Sequence, residues 1–540
     1  MADDAEKKKA DLYQSLVGKL KDQEYDEALD AADTLLSVVG DAEEVLRTRI
    51  LCLIHEGEFG DAITAIDEHP ELGMGLERAY ALYSLHQSDD ALKAVAELER
   101  SHAAQHLEAQ TRYRMGQYDE ALKIYEALRA AGEDSSDFKA NLLASFATSS
   151  HPAEGVKVFK SLGADTYEGV YNAACVQLSA GLLDEARDTL VAARKMGEEQ
   201  LEMDDDFDEE EIEEELAVLD VQLAYVQQLQ GDTTEAAEAY SQVIHKKPSD
   251  AAVLAVARNN LVACKGERDL FDGFKHMKSA ANTPEKKLQA YQRKVIGTNH
   301  ALVLLFMGKN KDCREAIDKL SKQFPSDEQV CCLYAALAYR QKNFKKCEAT
   351  LAEFIESSGG ECMLVQLTLA QFHINQRSLR EAVNALLGIS SLRHEPGWVA
   401  TVVNLLDQLQ DKPGALQVLD SAVAHWQSAK NAEKLSTMLK ECAAWKLKRG
   451  MSAEALETYG KLIEMQPHNH GAVASAIVAA AHINPELAKK YQQMLPPLTA
   501  ADGFDGEELE SSVGALAVPS RYRQQNLLPS AARTLSQFCV

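Results

Sequence analysis

Residues 116–125 read GQYDEALKIY, and this stretch gives the clearest indication of the fold. Gly116 ends one predicted helix, a short polar turn follows, and Tyr118 fills the corner. Ala121 then stands where the second helix passes close to its neighbour, and such close backbone approach requires a small side chain. Tyr125 comes four residues later and therefore lies on the same helical face. The stretch predicts a hairpin of two helices.

The same pattern of a turn followed by a small residue recurs along the chain, mostly at intervals of 29 to 35 residues. Unrelated helices would not keep this interval, which is typical of tetratricopeptide repeats. We therefore predict an all-α, tetratricopeptide-type solenoid of helical hairpins, with about 13 or 14 repeats in two arrays. The anchor positions are Ala28, Ala62, Ala91, Ala121, Gly155, Ala186, Ala236, Cys313, Cys347, Ala382, Ala415, Ala455 and Ala488.

Two interruptions divide the predicted solenoid. Between Glu198 and Glu215, 13 of 18 residues are acidic and none is basic, which is typical of a solvated loop or a frayed helix end. After residue 497 the repeat pattern stops. We predict an N-terminal array at 1–196 that binds a partner-protein segment, an acidic insertion at 197–215, a second array at 216–497, and a mostly disordered tail at 498–540.

Charge and composition narrow the class of partner. The 540 residues include 56 Lys or Arg and 84 Asp or Glu, which gives a net charge of −28 at pH 7. Such a surface repels the phosphates of a nucleic acid, so any contact with RNA would need a local basic patch. The balance favours a protein partner.

The sequence carries no pattern for bond chemistry. It contains no phosphate loop, HExxH helix, GxSxG elbow or dinucleotide fingerprint. The ten cysteines form no CxxC pair, which argues against a zinc site and against a disulfide framework. Cysteines used in this way favour a reducing compartment. No uncharged apolar run approaches the length of about 18 residues that a membrane helix needs. We predict no enzyme activity, no cofactor, no metal and no membrane insertion.

The first helix of each hairpin is expected to line the inner face of the solenoid. Alignment on the anchors places several tyrosines there, together with Arg, His and Gln. Such a surface suits a peptide, because tyrosine offers apolar area with a polar tip. The alternative is that several of these side chains only fill the seam between neighbouring repeats. The residues are Tyr13, Arg47, Tyr80, Tyr83, His106, Gln110, Tyr113, Arg114 and Tyr171.

One block of sequence is more specific than the repeats. Residues 171–175 read YNAAC, residues 181–186 read GLLDEA, residues 222–231 read QLAYVQQLQG and residues 254–260 read LAVARNN. With this block the chain resembles the family of the seventy-two-kilodalton subunit of the signal recognition particle, across roughly residues 12–497.

The resemblance implies a scaffold subunit of the ribonucleoprotein that targets nascent secretory chains to the endoplasmic reticulum. It implies a cytoplasmic location, nucleolar passage during assembly, and association with the reticulum surface through the particle. In the family, the N-terminal array grips a C-terminal segment of the sixty-eight-kilodalton subunit. By motif match this adds Asn141 and Asn172 to Tyr171 as residues of the partner-binding groove.

The family also binds the particle RNA, through a Lys-rich tail with a Trp-containing motif. This chain has no Lys beyond Lys490, and its tryptophans, Trp398, Trp426 and Trp445, fall within the repeats. We therefore expect the chain to lack that tail, through truncation, alternative splicing or an error in the gene prediction at its end, and to contact the RNA only indirectly or weakly.

Two other functions remain open from the sequence. A generic adaptor, such as a co-chaperone that clamps an acidic C-terminus, could use Asn172 and Arg114, although such clamps also need lysines. A direct RNA contact could use the locally basic stretch 265–294, although a solvated face is the commoner meaning of such a run. Its candidate residues are Lys275, Lys278, Lys286 and Lys287.

Overall fold

A computed structural model describes residues 2–40, 42–203, 207–359, 362–481 and 483–496, with side chains from residue 9 onward. Within these ranges every regular element is a helix. The prediction of an all-α repeat fold is confirmed. The predicted tail at 498–540 lies outside the described residues.

The chain divides into two compact units, Met1–Phe306 and a second unit that begins at Met307. The acidic insertion thus lies inside the first unit, and the independence of residues 1–196 as an array stays a prediction. The helices of the first unit are α1 (Ala2–Lys21), α2 (Tyr25–Val39), α3 (Glu43–His55), α4 (Phe59–Glu68), α5 (Gly75–Ser84), α6 (Ser88–Ala96), α7 (His102–Arg114), α8 (Tyr118–Ala130), α9 (Ser136–Thr148), α10 (Pro152–Leu162), α11 (Tyr167–Ser179), α12 (Leu183–Leu201), α13 (Glu209–Glu215), α14 (Ala217–Gln230), α15 (Thr233–Lys246), α16 (Ala251–Lys265), α17 (Leu270–Ala281) and α18 (Ala290–Phe306).

The second unit continues the same hairpin pattern. Its described helices are α19 (Asn310–Gln323), α20 (Glu328–Arg340), α21 (Phe344–Ser357), α22 (Met363–Asn375), α23 (Leu379–Leu387), α24 (Pro396–Gln408), α25 (Lys412–Ser428), α26 (Ala432–Lys448), α27 (Ser452–Met465), α28 (His470–Ala481) and α29 (Pro485–Gln492). Short 3-10 turns at Pro70–Leu72, Gly266–Asp269 and Glu285–Lys287 connect helices of the first unit.

Each hairpin packs its two helices together, and the first helices of successive hairpins also contact one another. Helix α5 contacts α3 and α7, α9 contacts α11, and α14 contacts α16. In these hairpins the first helices lie side by side, as the repeat pattern predicts.

The anchor positions explain why the hairpins close. Ala28, Ala62 and Ala121 are fully buried, as are the anchors of most other repeats. At the Gly155 anchor even a methyl group would not fit, because a Cβ atom built there would lie 2.6 Å from Cβ of Phe146 and 2.8 Å from Cγ1 of Val176. The interval read from the sequence therefore reflects helix crossings too close for a larger side chain.

The corner at residues 116–125 forms as predicted. Helix α7 ends at Arg114, and Gly116 turns the chain with a φ of +81°, a conformation that side chains other than glycine rarely adopt. Tyr118 begins α8 and packs edge-on against Tyr113, with ring centroids 5.2 Å apart. This contact fixes the angle between the two helices.

The acidic run is more ordered than its composition suggested. Residues 209–215 form α13, whose N-terminus is closed by a capping box between Asp208 and Glu211. Arg194 of α12 pairs with Glu213, and Lys246 of α15 pairs with the same carboxylate. Most of these residues are exposed, as a solvated segment would be, but the interpretation of 209–215 as a loop or frayed end was wrong. Cations on neighbouring helices and the positive end of a helix offset the charge of this segment.

Candidate functional site

The first helices of three hairpins surround one small cavity of about 160 Å³, which we call the inner cavity. It contains five of the residues predicted for the groove: Tyr83 of α5, Gln110, Tyr113 and Arg114 of α7, and Asn141 of α9. The cavity offers amide, phenol and guanidinium groups beside aromatic rings. This combination can recognise a peptide through both hydrogen bonds and ring contacts.

Arg114 holds two of these helices in register. Its guanidinium carbon lies 3.5 Å from the centre of the Tyr83 ring, and Nη1 donates a hydrogen bond of 2.6 Å to the Tyr83 carbonyl oxygen. Burial raises the pKa of Tyr83, and the positive charge of Arg114 opposes that rise. Arg114 therefore shapes the wall of the cavity as well as charging it.

The tyrosines of the site stay neutral at physiological pH. Burial raises the pKa of Tyr113 to about 12, and it raises the pKa of Tyr118 as well. Their hydroxyl groups therefore remain protonated and can donate hydrogen bonds. Burial lowers the pKa of His106, which keeps that ring neutral.

Three other predicted residues lie nearby but make internal contacts. His106 packs edge-on against Tyr125 and Phe138, with centroids 5.8 and 6.0 Å away, and so fills a seam between repeats. Asn172 donates from Nδ2 to the carbonyl oxygen of Ala140 at 3.0 Å, which joins α11 to α9. Tyr171 packs against the hydrophobic clusters beneath α11. For these three residues the seam alternative describes the observed contacts.

The structure places the remaining predicted residues away from the inner cavity. Tyr13 packs on the core of the first hairpin, and Arg47 pairs with Glu43 one turn away on α3. Tyr80 is 43% exposed and lies beside Tyr83, with ring centroids 6.4 Å apart. Tyr80 also packs edge-on against Phe59 at the start of α4, with ring centroids 6.2 Å apart, whereas Tyr13 and Arg47 do not border the cavity.

Four residues that line the inner cavity were not predicted: Tyr125, Ala144, Ser145 and Gln289. Ser145 lies one turn after Asn141, so helical periodicity could have found it. Gln289 is more than a hundred residues away in sequence, and no local pattern connects it to this site. Its presence shows that residues just before α18 reach the inner face of the N-terminal hairpins.

The lysines proposed for RNA contact do not form one patch on a loop. Lys275 and Lys278 are exposed on α17, where the ammonium of Lys275 lies 4.8 Å from the centre of the Phe271 ring. Lys286 and Lys287 are exposed in the 3-10 turn before α18. The locally basic stretch 265–294 therefore contains a helix, and contact with RNA stays a prediction.

Over the described ranges, no helix is both long and apolar enough to cross a bilayer. In that same part of the chain, His, Cys, Asp and Glu side chains do not gather into a group that could hold a metal ion.

The fold and the inner cavity define a tetratricopeptide-type repeat protein with a polar, aromatic inner face. The family described as "Putative TPR-like repeat" matches residues 17–148, and the family described as "Tetratricopeptide repeat" matches residues 220–249. A solved structure of the Cut9–Hcn1 tetramer of APC/C aligns with 90% of this chain and 93% of that one, at 13% identity and a TM-score of 0.45.

The relatives are more specific. Signal recognition particle subunit SRP72 of Canis lupus familiaris and that of Homo sapiens are each 31% identical over 503 residues, which cover 91% of this chain and 75% of theirs. The subunit of Caenorhabditis elegans is 29% identical over 93% of this chain and 78% of its own length. The chain belongs to the SRP72 family of signal recognition particle subunits.

Proposed function

We propose that this chain is the scaffold subunit that joins the sixty-eight-kilodalton subunit to the signal recognition particle. Its N-terminal repeat array, residues 1–196, takes a C-terminal segment of that subunit onto the inner face. The single observation that carries the proposal is the inner cavity, where five residues predicted from the sequence come together on three successive first helices. The chain forms and breaks no bonds in this role.

The particle sets where the chain acts. As a scaffold it takes part in co-translational targeting of secretory proteins to the endoplasmic reticulum. It resides in the cytoplasm, passes through the nucleolus during assembly, and reaches the reticulum surface through the particle. Its contact with the particle RNA is indirect, or weak and electrostatic through exposed lysines such as Lys275 and Lys286.

The structure gives less support to a co-chaperone clamp. Such a clamp needs free cations and amides that converge on a carboxylate. Asn172 is engaged with Ala140, and Arg114 is engaged with Tyr83. A peptide with an acidic C-terminus should therefore bind far more weakly than the partner segment.

The test measures binding of the full chain to a fluorescent peptide from the C-terminal region of the sixty-eight-kilodalton subunit. The double variant Gln110→Ala/Asn141→Ala removes two amides that line the cavity. Each lost hydrogen bond is worth about 1 kcal/mol, so the peptide should bind about tenfold to a hundredfold more weakly.

The matched control is Lys123→Ala/Glu126→Ala, on the exposed side of α8. It removes two polar side chains from the same region without touching the cavity, so it should bind like the wild type. Equal affinity of the wild type and the cavity variant would contradict the proposal.

A further inference from the structure

The inner face of the N-terminal hairpins already has a neighbour within the same chain. We call residues 285–293 the inner segment; it comprises the 3-10 turn Glu285–Lys287 and the start of α18. Gln289 lines the inner cavity together with Tyr83 and Arg114. Ala290 lies against the α7–α8 corner, where a Cβ built on Gly116 would be 3.8 Å from its own Cβ.

The inner segment is held in a defined shape. Arg293 donates from Nη1 to the carbonyl oxygens of Leu288 and Glu285, at 2.7 and 3.1 Å. The Gln289 backbone N–H donates to Oε1 of Gln292 at 3.0 Å, which satisfies a free donor at the start of α18. The segment therefore presents Gln289, Ala290 and Tyr291 as one preformed turn.

Tyr291 lies among the aromatic residues of the inner face while keeping part of its surface in solvent. It is 37% exposed, and burial raises its pKa, as do the nearby phenols of Tyr113 and Tyr118 and the thiol of Cys175. Because Tyr291 directly follows Gln289 and Ala290, which lie against the cavity and the α7–α8 corner, it occupies space that an aromatic side chain of a partner would need.

The segment also brings positive charge near His86, which follows the end of α5. Burial lowers the pKa of His86, and the charges of Arg114, Lys286 and Arg293 lower it further. Two of those three cations come from the inner segment. They lie within electrostatic range of α5 although some two hundred residues of sequence intervene.

We propose that the inner segment is the resting occupant of the partner-binding face, and that a partner segment must displace it. This inference rests on the proposed function and specifies the chemistry of the partner. The partner should present an aromatic side chain in place of Tyr291 and a hydrogen-bonding side chain in place of Gln289. The apparent affinity of the whole chain is then the intrinsic affinity of the open face multiplied by the fraction of molecules in which the segment has left that face.

The first experiment loosens the segment. Tyr291→Ala in the full chain should bind the partner peptide about tenfold more tightly than the wild type, because the open fraction rises. Tyr339→Ala is the matched control: Tyr339 is 38% exposed, lies on α20 of the second unit, and should leave the affinity unchanged.

Three results of this experiment have distinct meanings. If Tyr291→Ala binds the peptide more tightly than the wild type and Tyr339→Ala does not, the result supports the inference. Equal or weaker binding of Tyr291→Ala, with a wild type that binds, contradicts the resting occupant and leaves the proposed function standing. If no form of the chain binds the peptide, the proposed function is wrong and this inference falls with it.

The second experiment locks the segment in place. A Cβ separation of 3.8 Å suits a disulfide, so Gly116→Cys/Ala290→Cys should form one on mild oxidation. Native thiols such as Cys52 and Cys313 are buried and will react slowly. The single variant Gly116→Cys controls for strain at its positive φ.

The oxidised double variant should lose at least tenfold in affinity for the peptide and regain it on reduction. Peptide mapping confirms the link between positions 116 and 290. Unchanged affinity in a fully linked sample would overturn the inference, and so would failure of the link to form.

Discussion

Gly155→Ala offers a sharp test of the packing that builds the inner face. Gly155 lies in α10 and is the anchor of its hairpin, where other repeats carry Ala or Cys. An added methyl group would meet Cβ and Cγ of Phe146 at 2.6 and 2.8 Å and Cγ1 of Val176 at 2.8 Å. Both neighbours are fully buried and cannot move aside freely.

The expected change in the stability of the Gly155→Ala variant is the balance of two opposing effects. In an open helix the change from glycine to alanine stabilises by about 1 kcal/mol. Overpacking a filled core costs about 1 to 3 kcal/mol, and three contacts below 3.0 Å point to the upper part of that range. The net result should be destabilisation by about 1 to 2 kcal/mol, local to α9, α10 and α11.

Hydrogen exchange followed by mass spectrometry measures the local loss of stability. A local measurement describes a long repeat array better than a single melting temperature does. Amides in peptides from residues 136–179 should exchange about fivefold to thirtyfold faster in Gly155→Ala. The control is Gly60→Ala in α4, where no atom lies within 4 Å of the new methyl group, and it should slow local exchange slightly. Unchanged or slower exchange in Gly155→Ala would refute the packing argument.

Three further predictions concern other parts of the chain. Arg194 pairs with Glu198, Glu213 and Asp220, so Arg194→Ala should release α13. Amide hydrogen exchange at residues 209–215 should then be faster in the mutant than in the wild type. Lys246 holds the pKa of Glu213 below its ordinary value of 4.5, so the docking of α13 is complete at neutral pH and should weaken as pH falls through 4.5 and below. Amide exchange at residues 209–215, corrected for its intrinsic pH dependence, measures this weakening. Tyr240→Phe removes hydrogen bonds to Gln228 and Asn260 and should destabilise α14–α16 by about 1 to 3 kcal/mol in urea unfolding; a loss below 0.5 kcal/mol would contradict this.

The sequence predicted the hairpins well because their signal is local and repeated. Each corner needs a small residue at one position, so anchors such as Ala28 and Ala415 could be read without knowing what they contact. Prolines are a local signal of the same kind: Pro248 and Pro325 stand two residues after the ends of α15 and α19, at Lys246 and Gln323.

The site was harder to predict because it depends on long-range contacts. Helical alignment found Tyr83, Gln110 and Tyr113, which lie on first helices and face inward. It could not separate them from His106, which fills a seam, since both kinds of residue occupy the same helical positions. Gln289 arrives from a distant part of the chain, and only the folded arrangement reveals it.

The acidic run shows a second limit. Like charges in sequence predict repulsion, but Arg194 and Lys246 lie on other helices and supply the missing cations. Local composition describes the acidic run in isolation, and it does not include the cations that other helices bring to it in the folded chain.

The most direct test of the central claim is site-specific photo-cross-linking in the complex of the full chain with the sixty-eight-kilodalton subunit. A benzoylphenylalanine in place of Gln110 lies in the inner cavity, and one in place of Lys123 lies on the exposed side of α8. The account predicts cross-links to the C-terminal region of the partner from position 110 and none from position 123. A stable complex that cross-links from position 123 and not from position 110 would contradict it.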